Sequence, residues 1–229
     1  MIAEIVAMSM IAHLKIVPPA QLAQLRKHPA ATVAKLTSGE ITPMPPTPKR
    51  YADVRASLLD TARFAARQMG IHDVELALQM AKENAPQFAK EIDGDKPAFA
   101  EAVKGPGDEL LLAKAWHGVH YLLTGDAKAG PKPWSDAIMG GAAIGEDVGY
   151  GPAQLLEPAD VKRVAVALQT LSPAAFRKRF DAHKLEAAQI YPSGWDDSAA
   201  EWLESAYTEL REFYKRAAAQ NAAVLIWIN

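Results

Sequence analysis

Along the first 40 residues the order of apolar and polar positions already separates strand from helix. Met8, Met10, Ala12, Leu14 and Ile16 alternate with Ser9, Ile11, His13 and Lys15, a period of two that predicts a strand with one face buried. Pro18 and Pro19 then predict a helix start, since proline's fixed φ suits the first turn and its missing donor costs nothing there. That helix runs to about His28, and Pro29 breaks or restarts it.

Ile41 to Pro48 is proline punctuation, stiff and extended. Beyond it Val54, Leu58, Ala62, Ala65 and Met69 recur at helical spacing, and Val74, Leu78 and Ala81 predict a second helix. Phe88 with Ile92, and Phe99 with Val103, give two weaker helical pieces. The Gly105-Pro106-Gly107 step closes the stretch.

From Asp108 onward the pattern predicts a capped helix with Leu112, Ala115, Trp116, Val119 and Leu123 on its apolar face, ending at Thr124-Gly125. A loop rich in glycine follows, then a short strand at Ala153 to Leu156 and a helix opened by Pro158. Ser172 and Asp181 cap two further short helices, and Tyr191 to Gly194 turns the chain. Leu203, Ala206, Leu210, Phe213 and Ala217 predict a long amphipathic helix from about Ser198 to Gln220, stopped by Asn221. Ala223 to Ile228 is apolar throughout and too short for a buried helix, so it predicts a central strand.

These elements predict an α+β fold, helix-rich, with a small sheet of three or four short strands and an all-helical insertion. The 229 residues are read as one domain, with 41–107 a proline-bounded insertion and 108–229 the core. Composition sharpens the picture. Although 49% of residues are nominally apolar, 44 are alanine, which favours helix but adds little buried area. The aromatics are uneven: 13 of 17, including all five tryptophans, follow residue 107.

Charge excludes more than it suggests. The net value is −2, with +2 up to residue 107 and −4 after it. The densest basic cluster is Arg177-Lys178-Arg179, with Asp181 beside it, which is no stripe for neutralising phosphates, so no nucleic-acid partner is expected. The absence of cysteine removes disulfides, thiolate metal sites and cysteine nucleophiles. Ile5 to Ala12 is far shorter than the ~20 residues of a membrane span, and Glu4 sits where a secretory signal would be basic. No targeting segment and no membrane partner are expected, and the cytoplasm is the expected location.

Several segments then point to a family: Lys114-Ala-Trp-His-Gly-Val-His-Tyr-Leu-Leu-Thr-Gly125, Ser135-Asp-Ala-Ile-Met-Gly-Gly141, Ile144-Gly-Glu-Asp-Val-Gly-Tyr-Gly-Pro152, Ile190-Tyr-Pro192 and the strand start Met8-Ser-Met-Ile-Ala12. In order and wording they resemble the YfbM-like family of uncharacterised bacterial proteins. The resemblance implies a small α+β fold and no established activity or cofactor. Residues Met1 to Ala7 precede the usual start of such chains, and the stretch from about Tyr51 to Lys104 is longer than the short members need.

The candidate chemistry lies in two neighbouring segments. His117 and His120, three apart on a helix, stand about 60° apart around its axis beside Trp116. With Glu146 and Asp147 they offer the residue types for a metal or an acid–base pair. The simpler expectation is that the imidazoles bond to backbone carbonyls and pack the helix against the glycine-rich loop, with no metal and no cofactor. The loop Gly140 to Gly151 lacks the spacing of a phosphate-binding motif, and its acids would repel phosphate. Ser135 beside Asp136 has no Gly-x-Ser-x-Gly elbow around it. Trp195, Asp196 and Asp197 are expected to anchor a turn and cap the long helix. The expected site is therefore a binding surface of Trp116, His117, His120, Glu146, Asp147 and Tyr150 for a protein or small-molecule partner. The alternative is a hydrolase or other enzyme using the same histidines and carboxylates.

Overall fold

The computed structural model describes residues 10–38 and 107–229 and the backbone of residues 103–104. The chain divides into two compact units, Met1–Ser9 with Thr42–Ala100 and Met10–Ile41 with Glu101–Asn229. The second unit holds a sheet and its covering helices. The helices predicted between Val54 and Ile92 lie outside the described residues.

Six strands form one antiparallel sheet in the order β2-β3-β1-β6-β5-β4. They are β1 (Ala12–Val17), β2 (Val103–Lys104), β3 (Glu109–Ala113), β4 (Ala142–Asp147), β5 (Pro152–Leu156) and β6 (Ala223–Ile228). β6 is central and its first five residues are buried, as a strand covered on both faces must be. Its register with β1 sets Leu14 opposite Ile226 and Ile16 opposite Val224 on one face, and His13 opposite Trp227 and Lys15 opposite Leu225 on the other.

Helices cover both faces. On one, α1 (Pro19–Lys27) and α2 (Pro29–Thr37) set Leu22, Leu25, Val33 and Leu36 against Val17, Leu155, Leu225 and Trp227. The other side carries α3 (Ala115–Thr124), α4 (Asp136–Met139), α5 (Pro158–Thr170), α6 (Pro173–Arg177), α7 (Ala182–Ala187) and α8 (Ala199–Ala219). Along α8, Trp202, Leu203, Ala206, Tyr207, Leu210, Phe213, Tyr214 and Ala217 are buried, and the helix packs against α3, α5 and α6. Gly118 makes the approach to α3 possible: a Cβ there would lie 2.7 Å from the Trp195 ring and 2.9 Å from Leu203.

Most predicted boundaries hold. Pro19, Pro29 and Pro158 occupy first turns, Ser172 Oγ and Asp181 Oδ1 accept the N–H of Ala175 and Lys184, and Gly125 and Asn221 take the left-handed conformation that ends α3 and α8. Several expectations are corrected. The sheet has six strands, one of them only two residues long, rather than three or four. The helix predicted from Asp108 begins at Ala115, because Glu109–Ala113 pairs with β1 and Ala113, at φ +47°, turns the chain between strand and helix. Val103, assigned to a helical piece, is in β2.

The loop predicted over Gly140–Gly151 is partly strand as well. Ala142–Asp147 pairs with β5 as the sheet's last strand, with a bulge between Ile144 and Asp147 at Gly145, where φ is +78° and α2's Val33 closes in. A bulged edge with acids at its end is a poor template for pairing with another chain.

Candidate functional site

α3 starts beneath the first residues of the described chain. Its apolar face is buried, and Trp116 at its edge donates Nε1–H to the carbonyl of Met10 at 3.1 Å. The indole stacks on His117, with centroids 4.7 Å apart and planes 10° from parallel.

Both histidines are occupied by backbone. His117 Nε2–H donates to the Ala127 carbonyl at 2.7 Å, and its Nδ1 accepts the N–H of Tyr191 at 3.0 Å. His120 Nε2–H donates to the Ala129 carbonyl at 2.9 Å. Its Nδ1 is buried without a hydrogen-bond partner among the described residues. Together they clamp residues 126–130 across α3. The clamp is completed by Asp126, whose Oδ1 accepts the N–H groups of Lys128 and Ala129, each at 2.8 Å. Burial lowers the pKa of both imidazoles, partly countered by the carbonyl bonds; for His120 the neighbouring His117 pushes the same way as burial.

Glu146, Asp147 and Tyr150 lie elsewhere, on the exposed β4–β5 hairpin. Asp147 Oδ1 accepts the N–H groups of Gly149 at 2.8 Å and Gly151 at 3.2 Å, so one predicted ligand atom is spent on holding the turn. Tyr150 is 45% exposed, and its N–H donates to the carbonyl of Ile228 at 3.0 Å. The two groups are anchored at the same end of the sheet. Trp116 bonds to Met10, Tyr150 bonds to Ile228, and Ile11 exchanges both backbone hydrogen bonds with Asn229.

Among the described residues no three His, Cys, Asp or Glu side chains stand close enough to hold a metal ion. The basic cluster is used internally: Arg177 pairs with Glu204 at 3.0 Å, and Arg179 donates to the Leu122 carbonyl at the end of α3, also at 3.0 Å. Asp196 accepts the N–H of Ser198 at 2.8 Å and so anchors the turn before α8, but the helix's N-cap is Ser198 and no side chain caps it, which corrects the expectation that Asp196 or Asp197 does so. No helix among the described residues is long and apolar enough to cross a membrane.

A concavity of about 170 Å³ lies between α4, the start of β4 and the start of α5, bounded by Lys132, Asp136, Gly141, Leu155, Glu157 and Asp160. The signal for it was the Gly140-Gly141 pair four residues after Asp136: a Cβ at Gly140 would stand 2.6 Å from Asp136 Oδ1.

A six-stranded antiparallel sheet between helical layers, with its paired histidines committed to backbone, defines an α+β scaffold without an assembled metal centre among the described residues. The chain belongs to the family described as Domain of unknown function (DUF1877), whose model matches residues 8–227. It is similar in fold to a crystal structure of YfbM from Escherichia coli, itself described as a protein of unknown function. Identity is 15% and the TM-score 0.51, over 96% of this chain and 100% of that one. The family resemblance read from the segments around Lys114–Gly125 and Ile144–Pro152 is thus confirmed. No sequence of a curated protein matches.

Proposed function

We propose that this chain is a binding or interaction protein whose recognition surface is the end of the sheet carrying Trp116, His117, His120, Glu146, Asp147 and Tyr150. The observation that supports this reading over an acid–base or metal-using hydrolase is the commitment of the imidazoles. A general base needs a lone pair within reach of a substrate proton. His117 has both nitrogens engaged, and the open nitrogen of His120 is buried. In this reading the Trp–His helix is the rigid support, and Glu146 and Tyr150 on the exposed hairpin make the contacts. The partner is a protein or small molecule met in the cytoplasm, and residues 41–107 are an insertion into the family core.

Immobilising the full chain and comparing what it retains from the host's soluble extract with what a Glu146→Lys, Tyr150→Ala double variant retains tests the proposal. A species held by the parent and lost by the variant at an unchanged melting temperature supports it. Identical retention by both overturns it.

A further inference from the structure

We propose that the turn carrying Tyr191 is an acid-released cover beside Trp116 on the recognition surface: neutral His117 holds the turn in place, and a proton on His117 lets it go. This is a regulation of the surface proposed above and rests on that reading.

His117 ties three pieces of chain together. From α3 its Nε2–H donates to the Ala127 carbonyl at 2.7 Å, its Nδ1 accepts the N–H of Tyr191 at 3.0 Å, and its ring stacks on Trp116. A neutral imidazole has one donor and one acceptor and meets both backbone demands, whereas an imidazolium has two donors and meets only the first. The added proton on Nδ1 would face the N–H of Tyr191, donor against donor. A charged His117 therefore keeps the loop at Ala127 and gives up Tyr191.

The turn is built so that this release stays local. Ahead of Tyr191, Ile190 donates its N–H to the Leu185 carbonyl at 3.0 Å, and its own carbonyl accepts the Trp195 Nε1–H at 2.8 Å. Behind it, Glu186 Oε1 accepts the N–H groups of Gly194 and Trp195. Neither anchor involves His117, so the stretch set loose is 191–193. The Tyr191 ring is half-buried and lies 6.4 Å from that of Trp116, which is only 5% exposed. Withdrawing Tyr191 opens the indole to a partner.

The proton goes to His117 rather than to His120. His120 is fully buried and its Nδ1 has no hydrogen-bond partner among the described residues, so a proton there finds no acceptor. His117 is half-buried, and once Tyr191 has left, its Nδ1–H can turn to water. The charged groups on the elements around α3 are engaged elsewhere. In the loop Asp126 holds two backbone N–H groups, and Arg179 is bonded to the Leu122 carbonyl. On α4 Asp136 pairs with Lys132, on α8 Glu204 pairs with Arg177, and on β3 Glu109 pairs with Lys15. None of them is among the influences on His117, which burial pushes below 6.5 against the opposing pull of the Ala127 carbonyl. Release thus belongs to the acid side of pH 6.5.

The test is amide hydrogen exchange on the full chain, corrected for the intrinsic rate at each pH and followed by NMR from about pH 7.5 to about pH 5 alongside the ring nitrogen shifts of His117. Protection of the Tyr191 amide should fall about tenfold or more beyond any fall at Leu225 in the central strand, in step with protonation of His117. In His117→Gln, which cannot take the charge, the step should vanish. His120→Gln should keep it, which identifies the sensor even if His117→Gln does not fold. A Tyr191 amide that stays protected once His117 is charged overturns the proposal. So do equal losses at Tyr191 and Leu225, a His117 ring that stays neutral down to about pH 5, or a step that persists in His117→Gln. Exchange is measured without a partner, so the cover and the hairpin surface, judged by retention on the Glu146→Lys, Tyr150→Ala variant, fail or stand separately.

Discussion

The backbone N–H of Tyr191 points at Nδ1 of His117, 3.0 Å away, and this contact fixes which ring nitrogen carries the proton. A backbone N–H can only donate and the Ala127 carbonyl can only accept, so the neutral Nε2–H form satisfies both and the imidazolium satisfies one. Burial lowers the pKa of His117, His120 and His13 below 6.5. With folded values below the unfolded one, the unfolded chain takes up protons first as pH drops. Stability from these groups is complete above about pH 6.5 and is lost as the pH falls from there toward the lower folded values. The urea midpoint should therefore be lower at about pH 5.5 than at about pH 7.5, a window in which ordinary carboxylates hardly titrate. A His117→Gln, His120→Gln variant should show a flatter profile. A parent midpoint that stays level or rises on acidification contradicts this account.

Gly118 sets the distance between α3 and α8. Alanine is ordinarily better than glycine in a helix by ~1 kcal/mol. Here its Cβ would meet the Trp195 ring, pinned by its Nε1–H bond to the Ile190 carbonyl at 2.8 Å, and the fully buried Leu203. Overpacking should outweigh propensity, so Gly118→Ala is expected to lose about 1–2 kcal/mol and Gly118→Val more. Thermal unfolding decides the sign; a Gly118→Ala protein more stable than the parent would show that the helices can part at little cost.

How much was legible depends on which signals are local. Proline, Ser172, Asp181, Gly125 and Asn221 act within one turn of their own position, and the boundaries they predict are the ones observed. The run Ala223–Ile228 was recognisable as a central strand because burial on both faces leaves no polar position. β3 was not recognisable: Leu110 and Leu112 fit a period of two, while Leu112, Ala115 and Trp116 fit a helix, and only the left-handed Ala113 separates them. β4 was hidden for another reason, since Ala142-Ala143-Ile144-Gly145-Glu146-Asp147 has little strand propensity and is held by β5 and α2. At the candidate site, the packing role of the two histidines was anticipated, but their carbonyl partners and the pairing with Tyr191 depend on tertiary placement. Asp136 drew notice only as a neighbour of Ser135, because nothing in sequence reveals that a carboxylate will be buried.

Tyr207 ties α8 to the end of α5. Its hydroxyl lies 2.9 Å from the carbonyls of both Leu168 and Leu171, and one proton must serve the two. Arg211 Nε also donates to Leu168, at 3.0 Å, so removal of the hydroxyl leaves Leu171 as the orphan. Tyr207→Phe should cost about 1–3 kcal/mol in urea unfolding. Burial, opposed by Arg211 and Arg179, pushes the phenol up to about 12. Burial and the neighbouring Asp136 also push the Tyr214 phenol well up, so a spectrophotometric titration should show two tyrosines fewer ionising near pH 10 in the parent than its tyrosine content implies, and a deficit of one in the variant if the chain remains folded. A variant as stable as the parent would mean that water or Arg211 replaces the bond.

The hairpin divides into a residue that holds its shape and residues that face outward. Asp147 carries two backbone N–H bonds of the turn, so Asp147→Ala should cost about 1 kcal/mol and loosen Gly149–Gly151. Glu146 makes no such bond to the turn, and Tyr150 is 45% exposed, so Glu146→Ala and Tyr150→Ala should each change stability by less than about 0.5 kcal/mol. If the hairpin is the recognition surface, these two substitutions weaken partner retention while leaving the melting curve in place. Asp147→Ala then weakens retention and stability together, through the shape of the turn. Melting curves for the three variants, set beside retention measured on the same preparations, test the division. A stability loss at Glu146→Ala as large as at Asp147→Ala would show that the acidic pair acts as one structural unit.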